Sequence, residues 1–258
     1  MQDKSDVNKN LQYWNKMAEE KGDACVATIP DTYLKLLELE SIYKYIKDGT
    51  IVLDVGCGNG FTCFELANRF DIKLKGIDFS EEMINVAKVN AKTKDITFEV
   101  CSAMQLNEPD NFYDIVLSER LIVNLPDWDT RKKGMTEICR VLKKGGILIL
   151  AEAFIEPTIN VDILRKIFGL TMLEDKWSKC YLSEEELLSW IKETNLYELV
   201  DIDNYSSAYY FLTRVVSPAI GKLDDRRTGY LDTINRVAFM LPSEGNYGIQ
   251  KTYVLRKK

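Results

Sequence analysis

Short apolar runs alternate with amphipathic stretches through the first 155 residues. Ile51-Val52-Leu53-Asp54-Val55 is apolar but for one acid and closes on a glycine cluster, the pattern of a strand buried on both faces. Phe61 to Phe70 has helical spacing, and Ile72 to Ile77 predicts a second strand. A helix follows from Glu81 to about Ala91, with Ser80 as its N-cap and two acids in its first turn. Ile96 to Val100 and Tyr113 to Ser118 predict the third and fourth strands. A helix capped by Asp129 runs to Leu142, and the turn Lys143-Lys144-Gly145-Gly146 leads into a fifth strand, Ile147 to Leu150. Strands and helices alternating at this pitch predict βαβ units and a mostly parallel sheet. Right-handed crossovers then place ligands at the carboxyl ends of the strands.

The flanks read differently. Residues 1–20 predict a loose arm leading to a helix, with Tyr13, Trp14 and Met17 at i, i+1, i+4. Residues 32–47 carry Tyr33, Leu36, Leu37, Leu39, Ile42, Tyr43 and Ile46 at helical spacing, and Gly49 ends that helix. After Ala151 the pattern predicts helices over Asn160–Leu170 and Leu182–Asn195, the second opened by the capping box Ser183-Glu184-Glu185-Glu186. Leu196–Ile202 and Lys251–Arg256 predict the last two strands, with a helix within Val216–Leu241 between them. No repeat or Pro/Gly-rich linker divides the chain. The organisation expected is an N-terminal helical arm (1–48), a ligand-binding core (49–155), and a helical insertion with C-terminal strands of the same sheet (156–258).

The chemistry concentrates after the first strand, in Asp54-Val55-Gly56-Cys57-Gly58-Asn59-Gly60. Glycines there let the backbone turn sharply and approach a ligand closely. A GxGxxG loop holds a pyrophosphate at a helix N-terminus. This loop has its third glycine one position earlier, and Asp54 two residues ahead of the first would repel a pyrophosphate. It suits a ligand with an ammonium group. An acid also ends the second strand, in Gly76-Ile77-Asp78-Phe79-Ser80, where a carboxylate can accept from both hydroxyls of a ribose.

These segments resemble class I S-adenosylmethionine-dependent methyltransferases, over about residues 40–155. The resemblance implies an α/β, Rossmann-like, doubly wound, seven-stranded and mostly parallel sheet, with a helical insertion before the last strands. It implies S-adenosyl-L-methionine as methyl donor and S-adenosyl-L-homocysteine as product. The cofactor residues it implies are Asp54, Gly56, Cys57 and Gly58 in the loop, then Asp78 at the ribose with Phe79 and Met83 beside it. Ser102, Ala103 and Met104 follow at the adenine, although Ser102 stands where members often carry Asp. Ser118 follows in the fourth strand. Tyr13 and Trp14 resemble the N-terminal element that closes over the cofactor. The order of pieces is similar to a bacterial small-molecule group, some of whose members belong with surface-polysaccharide and related pathways.

Composition narrows the acceptor. A net charge of -6 and a pI of about 5.0 argue against a nucleic-acid binder, as does Ser118-Glu119-Arg120-Leu121 where DNA methyltransferases carry a Pro-Pro box. Histidine is absent, which removes imidazole as base or ligand. The six scattered cysteines form no CxxC pair, so no metal site is expected. No run nears the ~20 apolar residues of a membrane span, and no leader is evident, so a cytoplasmic monomer or homodimer is expected. The acceptor expected is a small molecule methylated on an oxygen of a sugar, carboxylate or phosphate-type group, in a surface-polysaccharide or secondary pathway. Candidate catalytic residues are Glu119 as base, Tyr209 and Arg120. Candidate acceptor contacts are Arg120, after the fourth strand, and Trp177, Lys179, Tyr210 and Arg214 in an aromatic-rich lid over residues 155–245, a segment that would equally suit a dimer interface. Three alternatives stay open: an N-methyltransferase acting on a small amine, an NAD-dependent oxidoreductase, and a non-catalytic cofactor-binding module.

Overall fold

The computed structural model describes residues 4–22, 29–91, 96–173, 180–221 and 233–258. Helices α1 (Lys4–Lys21) and α2 (Thr32–Tyr43) precede the alternating unit β1 (Ile51–Val55), α3 (Phe61–Arg69), β2 (Lys73–Asp78), α4 (Glu81–Asn90), β3 (Ile96–Val100), β4 (Tyr113–Glu119), α5 (Trp128–Val141) and β5 (Leu142–Ala153). Then come α6 (Ile155–Ile167), α7 (Glu184–Thr194), β6 (Tyr197–Asp203) and α8 (Ser207–Phe211). A π-helical turn (Leu212–Val216), α9 (Ser217–Gly221), α10 (Thr233–Phe239) and β7 (Gln250–Lys257) complete the described chain.

The seven strands form one sheet in the order β3-β2-β1-β4-β5-β7-β6. The first five run parallel, and β7 is antiparallel to both neighbours. Alternation along the strands divides the core between the two faces. Leu53, Val55, Val116, Leu148 and Leu150 join Met135, Ile138, Leu187 and Trp190 under α5 and α7. Val52, Ile115, Leu117 and Ile149 join Ile42, Cys63, Leu66, Ile84 and Ala87 under α2, α3 and α4. Each such fully buried aliphatic side chain contributes about 1.5–3 kcal/mol. The strand order reverses between β1 and β4, so a crevice opens at their carboxyl ends.

Several boundaries differ from the pattern-based ones. The cap of α5 is Asp127, whose side chain accepts from Thr130 N, and not Asp129. The turn expected at Lys143–Gly146 is absorbed into a twelve-residue β5, with a register irregularity opposite Tyr113/Ile115. Helix α6 starts at Ile155 because Pro157 falls in its first turn, where the missing N–H has no helical partner to lose. Ser183 caps α7 as expected, accepting from Glu186 N.

Candidate active site

The carboxyl end of β1 delivers Asp54, 1% exposed, into the crevice. Its Oδ2 accepts from the Cys63 thiol at 3.2 Å, and its Oδ1 is buried without a hydrogen-bond partner among the described residues. Burial, reinforced by the Glu119 charge, pushes this carboxyl up to about 7. The loop that follows needs its glycines. Gly56, Gly58 and Gly60 have φ of 82°, 53° and 80°, and a Cβ on Gly56 would meet Leu121 at 2.9 Å. Gly56 N and Cys57 N donate to Ile77 O, tying the loop to the end of β2. There Asp78 Oδ2 accepts from Gly58 N at 3.0 Å and Oδ1 from Ser80 N at 2.9 Å. Burial pushes the Asp78 carboxyl up, against the pull of these amides.

The crevice has two lobes that share Gly56, Asp78, Phe79 and Leu121. One, of about 610 Å³, is walled by Trp14, Asp54, Cys57, Gly58, Asn59, Phe61, Thr62, Met83, Glu119 and Arg120. The other, of about 740 Å³, is more apolar and is walled by Asn10, Cys101, Ser102, Ala103, Met104, Asn124, Leu125 and Pro126. Helix α1 lies across both. Asn10 donates to Asn124 O, Ser80 donates to Asn15 Oδ1, and Asn59 donates to Gly22 O.

Behind the polar lobe sits a buried ion network. Lys35, 1% exposed, donates to Glu119 at 2.5 Å, Thr62 at 2.8 Å and Glu38 at 3.1 Å. Arg120 pairs with Glu38 and donates to Glu119 at 2.6 Å. Thr62 Oγ1 donates to Glu119 Oε2 at 2.9 Å. Burial alone would raise Glu119, but the Lys35 and Arg120 charges overcome it and hold the carboxyl at about 2. Arg120 takes a left-handed φ of 52° at the end of β4, a strained conformation for a residue with a Cβ.

The crevice thus gathers Trp14, Asp54, Gly56, Cys57, Gly58, Asp78, Phe79, Met83, Ser102, Ala103, Met104, Glu119 and Arg120. Others lie elsewhere. Tyr13 is 40% exposed, with its ring edge-on to Trp14. Ser118 is fully buried, its hydroxyl turned to Glu152 at 3.4 Å. Two catalytic expectations need correction. Glu119 is bound into ion pairs and too weak a base to take a hydroxyl proton. Tyr209 is buried in the insertion, donating to Asp31, the N-cap of α2, at 2.8 Å; burial and the Asp31 charge drive its hydroxyl far up. Nor is Arg120 poised for an anionic acceptor, since two carboxylates already engage it. Tyr210 packs in the insertion's core with the Arg214 guanidinium 5.6 Å from its ring, and Arg214 also lies 4.0 Å from Asp31. Trp177 and Lys179 lie outside the described residues. Reading from sequence missed Lys35, Glu38 and Thr62. Their signal, a Lys-x-x-Glu on α2 and a threonine after the loop, is indistinguishable from ordinary helix surface.

A donor set of this kind fits a ligand with an ammonium group, a ribose and a flat base. Asp54 offers an unpartnered buried oxygen, Asp78 a carboxylate beside the glycine loop, and Cys101–Met104 an apolar slot. The profile of the methyltransferase-domain family matches residues 46–202. The chain belongs to the class I S-adenosylmethionine-dependent methyltransferases. Ajmaline N-methyltransferase of Rauvolfia serpentina is 36% identical over 103 residues, 38% of this chain and 34% of that protein. The 27-O-demethylrifamycin SV methyltransferase of Amycolatopsis mediterranei is 29% identical over 136 residues, 51% of this chain and 49% of its own. The chain therefore spans a third to a half of these relatives' length. In fold it is similar to an S-adenosylmethionine-dependent methyltransferase of Thermotoga maritima, with a TM-score of 0.62 at 17% identity, covering 96% of this chain and all of that one. Among the described residues, no Cys/Asp/Glu cluster of metal-binding size occurs, and no helix is long and apolar enough to cross a membrane.

Proposed function

We propose that this methyltransferase moves a methyl group from S-adenosylmethionine to a small molecule, at an atom that attacks without help from a protein base. The unpartnered Asp54 oxygen at the mouth of the glycine loop carries this reading. The cofactor supplies an electrophilic methyl on a cationic sulfur. Asp54 holds its ammonium, Asp78 its ribose hydroxyls, and Phe79 with Cys101–Met104 its adenine. Trp14 and α1 cover the lobes, exclude water and fix the approach of the acceptor.

The base expected at Glu119 is absent, and the other titratable groups on the described cleft wall do not replace it. Burial pushes the Cys57 thiol up to about 11, and Asp54 and Asp78 are committed to the cofactor. A sugar hydroxyl, which needs deprotonation, is therefore a poorer acceptor than a group that is already nucleophilic. The relatives named for a nitrogen and an oxygen target support a small organic acceptor of a secondary pathway. Incubation with methyl-labelled S-adenosylmethionine and pooled small metabolites should move label into a low-molecular-mass product. Tight cofactor binding with no label transferred from any pool would instead support a non-catalytic module.

A further inference from the structure

Binding the cofactor leaves one carboxylate in the cleft without a task. Glu119 lines the polar lobe together with Asp54. Its Oε1 accepts from Lys35 and Arg120, and its Oε2 from Thr62. Each carboxylate oxygen has two lone-pair sites, so Oε1 is filled and Oε2 keeps one place among the described contacts. The cations that hold Glu119 are themselves held. Glu38, with no exposed surface, grips both Lys35 and Arg120, and the Tyr205 hydroxyl donates to it at 3.3 Å. The fold spends one buried cation, one largely buried cation and a second, buried carboxylate on keeping one negative charge at the cleft wall.

That charge discriminates between acceptors. A carboxylate or phosphate would be repelled. A hydroxyl would find a hydrogen-bond acceptor but no base. An amine attacks as the neutral species and becomes cationic in the same step, so a fixed carboxylate favours the product charge as it develops. We infer that the acceptor is an amine whose N–H is received by Glu119 Oε2. This rests on the cofactor reading of the same cleft. In the step the nitrogen lone pair forms the new C–N bond. The C–S bond breaks with its electron pair left on sulfur, and the surplus proton on nitrogen passes to water. Glu119 touches the acceptor, whereas Lys35, Glu38 and Arg120 act through it as positioning residues.

Binding of sinefungin tests this without knowledge of the acceptor, because that analogue carries an amine where the cofactor carries its transferable methyl. Calorimetry on the wild-type chain should show sinefungin at least tenfold tighter than S-adenosylhomocysteine. In Glu119→Gln, which keeps the shape and removes the charge, the two affinities should fall within twofold of each other, with that of S-adenosylhomocysteine rising by no more than about twofold at pH 7 as Asp54 loses a like-charged neighbour. The double variant Lys35→Met/Glu119→Gln, which strands no lone charge, gives the same comparison if the single variant misfolds. Equal affinities in the wild type, or a preference that survives loss of the Glu119 charge, would overturn the amine assignment and leave the cofactor site standing. No S-adenosylhomocysteine binding to the wild type would overturn both.

Discussion

Lowering the pH from 7 to 5 should weaken S-adenosylhomocysteine binding about fifty-fold, through Asp54. Burial and the neighbouring Glu119 charge place this carboxyl at about 7 in the ligand-free chain, and no described residue bonds to its Oδ1. At pH 7 about half the molecules carry the ionised form, and at pH 5 about one in a hundred. The ligand's ammonium requires the ionised form, so affinity follows that fraction: nearly tenfold per pH unit in the acid limb. The whole change is about 2.3 kcal/mol at 1.36 kcal/mol per factor of ten. Above pH 7 the Asp54 carboxyl is mostly ionised, so affinity should level off there. The sign for stability is opposite. A carboxyl raised by folding favours the folded state at low pH, and the benefit is lost as pH rises through 7. Glu152, pushed by burial up to about 8, acts in the same direction, so between pH 6 and 8 these two groups should lower the melting temperature of the ligand-free chain. Calorimetry in two buffers of different ionisation enthalpy counts the protons directly. Binding at pH 5.5 should release about one proton, and Asp54→Asn should abolish both release and slope, separating Asp54 from Asp78. A flat affinity from pH 5 to 7 with no proton released would refute the assignment of Asp54 to the ammonium.

Three substitutions extend the account. Asp78→Ala should weaken S-adenosylhomocysteine by about 1–3 kcal/mol, the loss of a charged acceptor for two hydroxyls; unchanged affinity in a folded variant would remove Asp78 from the ribose. Gly58→Val should abolish binding, because φ is 53° there and a β-branched residue strongly disfavours it; circular dichroism and calorimetry together would show whether a folded variant still binds. Lys35→Met strips the cation from between Glu38 and Glu119 and should destabilise the fold by about 3–5 kcal/mol, the usual result of stranding a buried charge. A urea midpoint within error of wild type would mean the network contributes little.

The glycine-loop side of the crevice was legible because its constraints are local. A buried strand, an acid, three glycines and a second acid ending the next strand lie within thirty residues, and each has its reason in backbone conformation or in the proposed ligand. The ion network behind it was not, because its partners are remote in sequence. Lys35 meets Glu119 across 84 residues, and Tyr209 meets Asp31 across 178. Helix α2 shows why pattern failed there. Its apolar residues run nearly all the way round, and Lys35 and Glu38 are buried while Leu36, one of the apolar positions that predicted the helix, is 40% exposed. Hydrophobic periodicity orients a helix only when one face is polar by composition; here tertiary ion pairing decided. The aromatics of the insertion read as lid residues, yet Tyr205 and Tyr209 brace α2 through Glu38 and Asp31.

Parallel titration of the wild-type chain with S-adenosylhomocysteine and with NAD distinguishes the two ligands that a glycine loop after a buried strand can hold. Asp54 invites an ammonium and repels a pyrophosphate, so one S-adenosylhomocysteine should bind per chain, saturably and with a rise in melting temperature, and NAD should give neither response. Binding of NAD, or a folded chain that ignores S-adenosylhomocysteine at every pH between 6 and 8, would contradict the cofactor assignment.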